Sequence, residues 1–397
     1  MANCQPVLPE IVVRDRQYSR TSRDAGRHQE TESARSATKP LAPAIEPKDN
    51  KTTPMNGPVP QSLTRWPHRL AACAQVLLLA VALPVPRLYC AEPSHRIPVI
   101  LDTDIGDDID DTWALGLLLQ SPELDLKLVV GDYGKTEYRA RLLAKFLQQA
   151  GRGDVPVGLG LDIAPRGDGP QAGWITNYAL SDYRGRVYKD GVQAIIDTIL
   201  ASKVPITLLA IGPMPNLAAA LEREPKIAQR ARFVGMDGSV RVGYGGSTKV
   251  DAEWNVKADI KAAQRVFSAQ WDIVITPLDT CGLIDLSGDR YRRVRESANP
   301  IATAVIENYR VWSNSRDAKS KAAESHSSTL FDTVAVYLAI KHDLCHMEEL
   351  GLRVNDEGFT IIDGRAKRIS VATSWKSLDG YRDWIVERLT AERAHGS

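Results

Sequence analysis

Residues 100–115 read ILDTDIGDDIDDTWAL. The apolar run that leads in, IPVILDT at 97–103, has the composition of a buried strand, and it ends in carboxylates. Asp102, Asp104, Asp107, Asp108, Asp110 and Asp111 follow one another closely before a helix expected over Asp110 to Gln120. Acidic residues in the first turn of that helix suit its dipole. Crowding so many carboxylates costs Coulomb energy unless a cation neutralises them. Hard oxygen ligands of this kind suit calcium or magnesium, and Gly106 lets the backbone turn sharply beside such an ion. A solvated acidic loop with helix-capping aspartates is the plainer reading, but it fits poorly directly after an apolar strand.

Outward from this turn, apolar runs alternate with amphipathic ones. Strands are expected at 124–131, 155–160, 205–212, 232–238 and 271–279, and helices at 136–150, 190–202, 214–221, 226–230 and 258–267. Continuously apolar strands alternating with helices predict an α/β fold with a single open, mostly parallel sheet and helices on both faces. Ligands of such sheets sit at the carboxyl ends of the strands. That draws attention to Asp102, Asp104, Gly131-Asp132, Ile211-Gly212, Asp237 and Asp279. After Asn299 the chain turns helical to about Ser313, and again over Leu330 to Ile340. The polar stretch 313–328 between them is expected to be an exposed loop. Residues 351–373 alternate around Gly364 as an antiparallel hairpin would, and a last helix is expected over Leu378 to Arg393.

Composition narrows the function. Lys+Arg of 50 against Asp+Glu of 49 gives a net charge of +1, which excludes nucleic-acid binding through bulk charge. Five cysteines in 397 residues exclude a disulfide-dense domain. Residues 1–54 lack apolar periodicity and read as a disordered extension. Residues 55–91 carry a basic flank (Arg65, His68, Arg69), the apolar run LAACAQVLLLAVAL and a small-residue end at Cys90-Ala91, the three-part shape of a signal peptide. An uncleaved anchor helix is the alternative. Cleavage predicts a secreted or periplasmic domain over 92–397, without a stable membrane anchor. Cys281 and Cys345 would remain, and sequence alone does not bring them close enough to pair.

DTDIGDDIDDTWAL resembles the signature of the inosine–uridine preferring nucleoside hydrolases, Asp-x-Asp-Pro-Gly-x-Asp-Asp followed by an Ala-rich helix. ITLLAIGPMPNLAAAL (206–221) is similar to the family's strand–Gly-Pro-Leu-Thr-Asn–helix segment. DAEWNVKAD (251–259) resembles its Glu-Phe-Asn-x-x-x-Asp segment, and TLFDTVAV (329–336) its His-Asp-Pro-x-Ala segment. Four matches in order are far more specific than any one. The resemblance implies one open α/β domain with a mixed, mostly parallel sheet. It implies calcium-dependent hydrolysis of the N-glycosidic bond of ribonucleosides, releasing ribose and a nucleobase, often in a homo-oligomer. Carried over residue by residue, it assigns Asp104 to calcium and to general-base catalysis. Asp111, Asp332 and the backbone carbonyl of Ile211 join it as calcium ligands, Glu253 and Asn255 bind the ribose hydroxyls, and Asp102 is the first signature aspartate.

Two departures stand out. The stretch from Gly106 to Asp110-Asp111 is about two residues longer than in the family, so either Asp108 or Asp110 takes the ribose-binding role of the penultimate aspartate. Phe331 stands where several members carry a histidine that protonates the leaving base. His326 is a nearby substitute or a plain loop histidine. Trp174, Asn177, Tyr178 and Tyr183 in the segment 172–188 either stack on a base or pack. Trp254 reads as packing, and the Gly-rich loop 238–249 is no P-loop. His342 and His346 beside Cys345 lack further ligands for zinc. Two rival functions remain at this point. One is a haloacid-dehalogenase-type metal-dependent phosphatase, which also opens on Asp-x-Asp after a first strand. The other is a non-catalytic exported binder of ribose or nucleosides.

Overall fold

The computed structural model describes residues 96–164 and 167–392. The expected extension (1–54) and leader (55–91) lie outside the described residues. Ten strands form the sheet: β1 (Ile97–Thr103), β2 (Leu124–Gly131), β3 (Val157–Leu159), β4 (Val187–Tyr188), β5 (Ile206–Ala210), β6 (Ala231–Met236), β7 (Ile273–Thr276), β8 (Cys345–Val354), β9 (Thr360–Ile362) and β10 (Arg368–Trp375). Their order is β4-β3-β2-β1-β5-β6-β7-β10-β8-β9. Neighbours from β4 across to β10 run parallel, and β8 pairs antiparallel with both β10 and β9. This is the mixed, mostly parallel α/β sheet expected.

Apolar residues on both sides of each central strand explain the layering. Val99 and Leu101 of β1 join Val129, Leu209 and Val234 in one core. Ile100, one position between them, joins Leu128, Val130, Leu208 and Phe233 in the other. Side chains alternate between faces along a strand, so a strand apolar at every position must be covered twice. Helices Asp110–Leu119, Thr136–Gln149, Pro300–Arg316, Thr333–Ile340 and Leu378–Thr390 cover the first face with Trp113, Leu142, Val305, Val336 and Ile385. Helices Gly191–Ala201, Pro215–Arg223 and Ile260–Ser268 cover the second with Ile195, Leu217 and Val266.

The topology also places a crevice. From β1 the chain builds β2, β3 and β4 to one side and then returns to lay β5 on the other. The order therefore reverses at β1, with Asp102 registered against Val130 on β2 and Ala210 on β5. Such a switch point opens a cleft at the strands' carboxyl ends, where Asp104 follows β1 and Ile211 follows β5.

Three expectations need correction. The helix expected at 258–267 begins two residues later, as Ile260–Ser268, where the Asp259 side chain caps it by accepting from the amide of Ala262, and a short unexpected helix, Trp254–Ala258, precedes it. The hairpin at 351–373 is a three-stranded unit in the order β10-β8-β9: β8 begins earlier, at Cys345, and pairs antiparallel with both others. The polar stretch 313–328 is more ordered than a loop. A helix runs to Arg316, a short one follows at Ala322–Ser325, and Ser313, Ala323 and Ser327 are buried. No helix among the described residues is long and apolar enough to cross a membrane.

Candidate active site

The acidic turn after β1 is held by its backbone. Five successive carbonyls, Asp104 to Asp108, each accept from a side chain of another element. Arg139 Nη1 donates to the carbonyls of Asp104 and Ile105. Tyr138 Oη donates to Gly106 at 3.0 Å, Trp312 Nε1 to Asp107 at 3.0 Å and Gln171 Nε2 to Asp108 at 2.9 Å. Arg139 also donates to the carbonyl of Tyr133 at 2.5 Å and to Asp107 Oδ2 at 2.8 Å. Gly106 sits at φ +120, where side chains are disfavoured, and a Cβ there would meet Tyr138 Cε1 at 2.5 Å. Gly212, after Ile211, lets β5 approach as closely: a Cβ there would lie 2.7 Å from the Asp104 amide nitrogen and 2.8 Å from its Oδ1.

None of Arg139, Tyr138, Gln171 or Trp312 was singled out from sequence. Arg139 had left a signal, because it shares helical spacing with Leu142, Leu143 and Phe146 on a buried face. Gln171 and Trp312 come from distant segments and left none.

The turn opens into a cavity of about 280 Å³, whose lining includes Asp104, Asp108, Asp110, Asp111, Ile211, Glu253, Asn255 and Asp332. Every residue expected to bind the ion or the ribose therefore lines one cavity. Asp110, Asp111 and Asp332 come closest together, each offering a carboxylate oxygen within 4.8 Å of the others. Asp111 Oδ1 accepts from Thr103 Oγ1 at 2.5 Å. Burial, and then the neighbouring carboxylates, hold Asp110, Asp111 and Asp332 well above the usual carboxylate range. Burial pushes Asp104 up to about 6, opposed by the Arg139 guanidinium. Both Asp108 and Asp110 line the cavity, but only Asp110 belongs to the tight carboxylate group.

Glu253, Trp254 and Asn255 add to the same lining. Glu253 is buried and caps the helix Trp254–Ala258, its Oε1 accepting from Asn255 N at 2.8 Å and its Oε2 from Gly238 N at 2.9 Å. Burial lifts it to about 7 against those bonds. Asn255 Nδ2 donates to the Met236 carbonyl at 2.9 Å, which fixes the amide. Trp254, read from sequence as packing, is 41% exposed and lines the cavity instead. Tyr244 from the Gly-rich loop also lines it, accepting from Trp254 N at 3.0 Å and meeting Phe331 edge to face.

Other residues fall away from the site. Asp102 is 1% exposed, and its Oδ1 accepts from Asn216 Nδ2 at 2.8 Å, so it backs the turn without lining the cavity. His326 is exposed, pairs with Ser325 Oγ at 2.8 Å and does not line the cavity. Trp174 packs on Phe146 under the Lys145 ammonium, and Tyr183 Oη donates to the Val155 carbonyl, so both serve packing. Cys281 and Cys345 are free and buried, and His342 Nε2 lies 3.0 Å from the Leu338 carbonyl.

The donor set fits a metal ion. The tight group is made of carboxylates alone, which suits a hard cation, and Arg139, the buried cation beside them, is committed to Asp107 and to carbonyls. Asp110, Asp111 and Asp332 offer the tightest set of oxygens to such an ion, and Asp104 and Ile211 line the same cavity. The sequence profile of the family described as inosine-uridine preferring nucleoside hydrolase matches residues 99–382. The chain belongs to this family. It is therefore a hydrolase acting on N-glycosyl bonds.

This hydrolase is similar to the pyrimidine-specific ribonucleoside hydrolase RihA of Enterobacter sp. (strain 638), at 29% identity over 314 residues, 74% of this chain and 97% of that protein. The non-specific ribonucleoside hydrolase RihC of Klebsiella pneumoniae is 29% identical over 317 residues, covering 74% and 98%. Among solved structures, a purine-preferring ribonucleoside hydrolase from Gardnerella vaginalis superposes with a TM-score of 0.61 at 22% identity, covering 74% of this chain and 98% of that one, which shows a shared fold.

Proposed function

We propose that this hydrolase cleaves ribonucleosides to ribose and a free base, using a calcium ion held by Asp104, Asp111, Asp332 and the Ile211 carbonyl, with Asp110 beside them. One observation carries the reading: the carboxylate group and the Glu253–Asn255 pair line one cavity of about 280 Å³. When bound, such an ion supplies positive charge that lowers the pKa of a nearby water and orients the sugar hydroxyls.

The chain's own residues do the rest. Asp104 takes the proton of the attacking water, whose oxygen bonds to the sugar's anomeric carbon. Glu253, Asn255 and either Asp108 or Asp110 bind the ribose hydroxyls, which selects ribose over deoxyribose because unpaired buried groups would penalise the analogue. The C–N bond breaks, and its electron pair leaves with the base. The clamp on carbonyls 104–108 holds the turn in place, so little reorganisation is needed as charge develops.

The phosphatase reading meets a geometric objection. Its nucleophile would be Asp102, which is buried behind the turn and engaged by Asn216. The related ribonucleoside hydrolases are named pyrimidine-specific, non-specific and purine-preferring, so this chain's own base-side residues set its preference. The leader-like segment 55–91 supports export to the periplasm or the medium.

The test is ribose release from inosine, uridine, adenosine and cytidine, with phosphate release from p-nitrophenyl phosphate measured alongside. Ribose without phosphate is expected. Phosphate without ribose would overturn the reading.

A further inference from the structure

The departing base takes an electron pair and needs a proton or a positive charge to meet it. Phe331 offers neither, and His326 lies outside the cavity lining. The lining contains one cation, Arg316, the last residue of the helix Pro300–Arg316.

Its guanidinium carbon lies 4.6 Å from the centroid of the Trp312 ring one helical turn earlier. Trp312 is in turn fixed by its Nε1 bond to the Asp107 carbonyl at 3.0 Å. The guanidinium is thus carried on an aromatic platform anchored to the acidic turn, a cation–π arrangement. Asp108 feels its charge. Among the described residues Arg316 makes no ion pair, in contrast to Arg139, which is fully engaged. Arg316 lines the same cavity as Tyr244 and Phe331.

We propose that Arg316 is the catalytic residue that meets the leaving base. This rests on the ribonucleoside hydrolase reading above. A guanidinium stays protonated at working pH, so it acts by charge and by N–H donation and not as a proton donor. As the C–N bond breaks, the base becomes an anion and Arg316 donates to the ring heteroatom or carbonyl that carries the charge. Solvent then protonates the base, and the proton taken from water leaves Asp104. Natural nucleosides, whose bases are poor leaving groups, depend on this contact. A p-nitrophenyl riboside, whose phenolate is already stable, does not.

The experiment compares kcat/KM of wild type, Arg316→Gln, Arg316→Lys and Tyr244→Phe on inosine, uridine and p-nitrophenyl riboside, with calcium present. Loss of one preorganised donor to a developing anion typically costs about 100-fold or more. Arg316→Gln should show that loss on the nucleosides while its rate on the activated riboside falls by less than about 3-fold, and Arg316→Lys should recover part of it. Equal losses on all substrates would overturn the proposal by assigning Arg316 to the cavity's structure. So would no loss on any substrate, or the leaving-group-selective loss appearing in Tyr244→Phe instead. Wild type that releases no ribose from any of the three would overturn the hydrolase reading itself, and the proposal with it.

Discussion

Replacing Arg139 with methionine keeps a long apolar stem in its 2%-exposed site and removes every donor. Lost are the bonds to the carbonyls of Tyr133, Asp104 and Ile105 and to Asp107 Oδ2. All three carbonyls belong to buried residues. An orphaned buried acceptor costs about 1–3 kcal/mol, but the three share one turn and relax together, so their costs do not add. Asp107 is half exposed and is rehydrated when its partner goes, so the orphaned carbonyls dominate and the expected loss is about 3 kcal/mol. A domain stable by about 5–15 kcal/mol survives it at 25 °C. The assay is urea unfolding at equilibrium, where the midpoint should fall with an unchanged slope. Ribose release should fall as well, because a displacement near 1 Å of the turn carrying Asp104 costs about 100-fold. Tyr138→Phe, which removes only the bond to the Gly106 carbonyl and the acceptor for Gln171 N, should cost about 1 kcal/mol. A loss below about 1 kcal/mol in Arg139→Met, with kcat/KM nearly unchanged, would refute the clamp.

Asp104→Asn should lower kcat by about 100- to 10,000-fold with little change in fold, as loss of a general base does; circular dichroism and ribose release check both. Asp332→Asn should raise the melting temperature of the metal-free protein, because it removes one of three buried like charges. It should also abolish the stabilisation that added calcium gives wild type, about 2.7 kcal/mol at a hundredfold excess over Kd; scanning calorimetry with and without calcium reads both. The Glu123–Arg388 pair, at 2.6 Å, holds Glu123 below the ordinary 4.5. A carboxylate with a lowered folded pKa stabilises above its unfolded value and loses that contribution as pH falls through its folded one. Glu123→Gln should therefore be less stable than wild type at pH 7, and the gap should close as the pH drops below 4; urea midpoints at both pH values test it.

Much of this site was legible in the chain. The aspartates after β1 follow a continuous apolar strand, and the segments bearing Ile211, Glu253, Asn255 and Asp332 each carry a local pattern. Asp104 and Ile211 follow adjacent parallel strands, while Glu253 and Asp332 stand at the starts of helices. The supports were harder to read. Gln171 and Trp312 reach the turn from segments far away in sequence, and nothing local marks a glutamine or tryptophan that will bond a distant carbonyl. Trp254 was misread because a tryptophan between two polar residues looks like packing. The capping of its helix by Glu253 turns it outward into the cavity. The start of the helix Ile260–Ser268 was set two residues early because hydrophobic spacing does not mark a first residue, while the side-chain cap at Asp259 does. The aromatics of 172–188 were open between stacking and packing, and only the contacts of Trp174 with Lys145 and Phe146 and of Tyr183 with Val155 assign those two to packing.

The central claim is that the carboxylate group holds a metal ion that the cleavage of ribonucleosides requires. Protein stripped with a calcium chelator should release no ribose from inosine or uridine, and calcium added in excess should restore the rate, with one ion bound per chain. Ribose release that persists unchanged in the chelated, metal-free protein would contradict it.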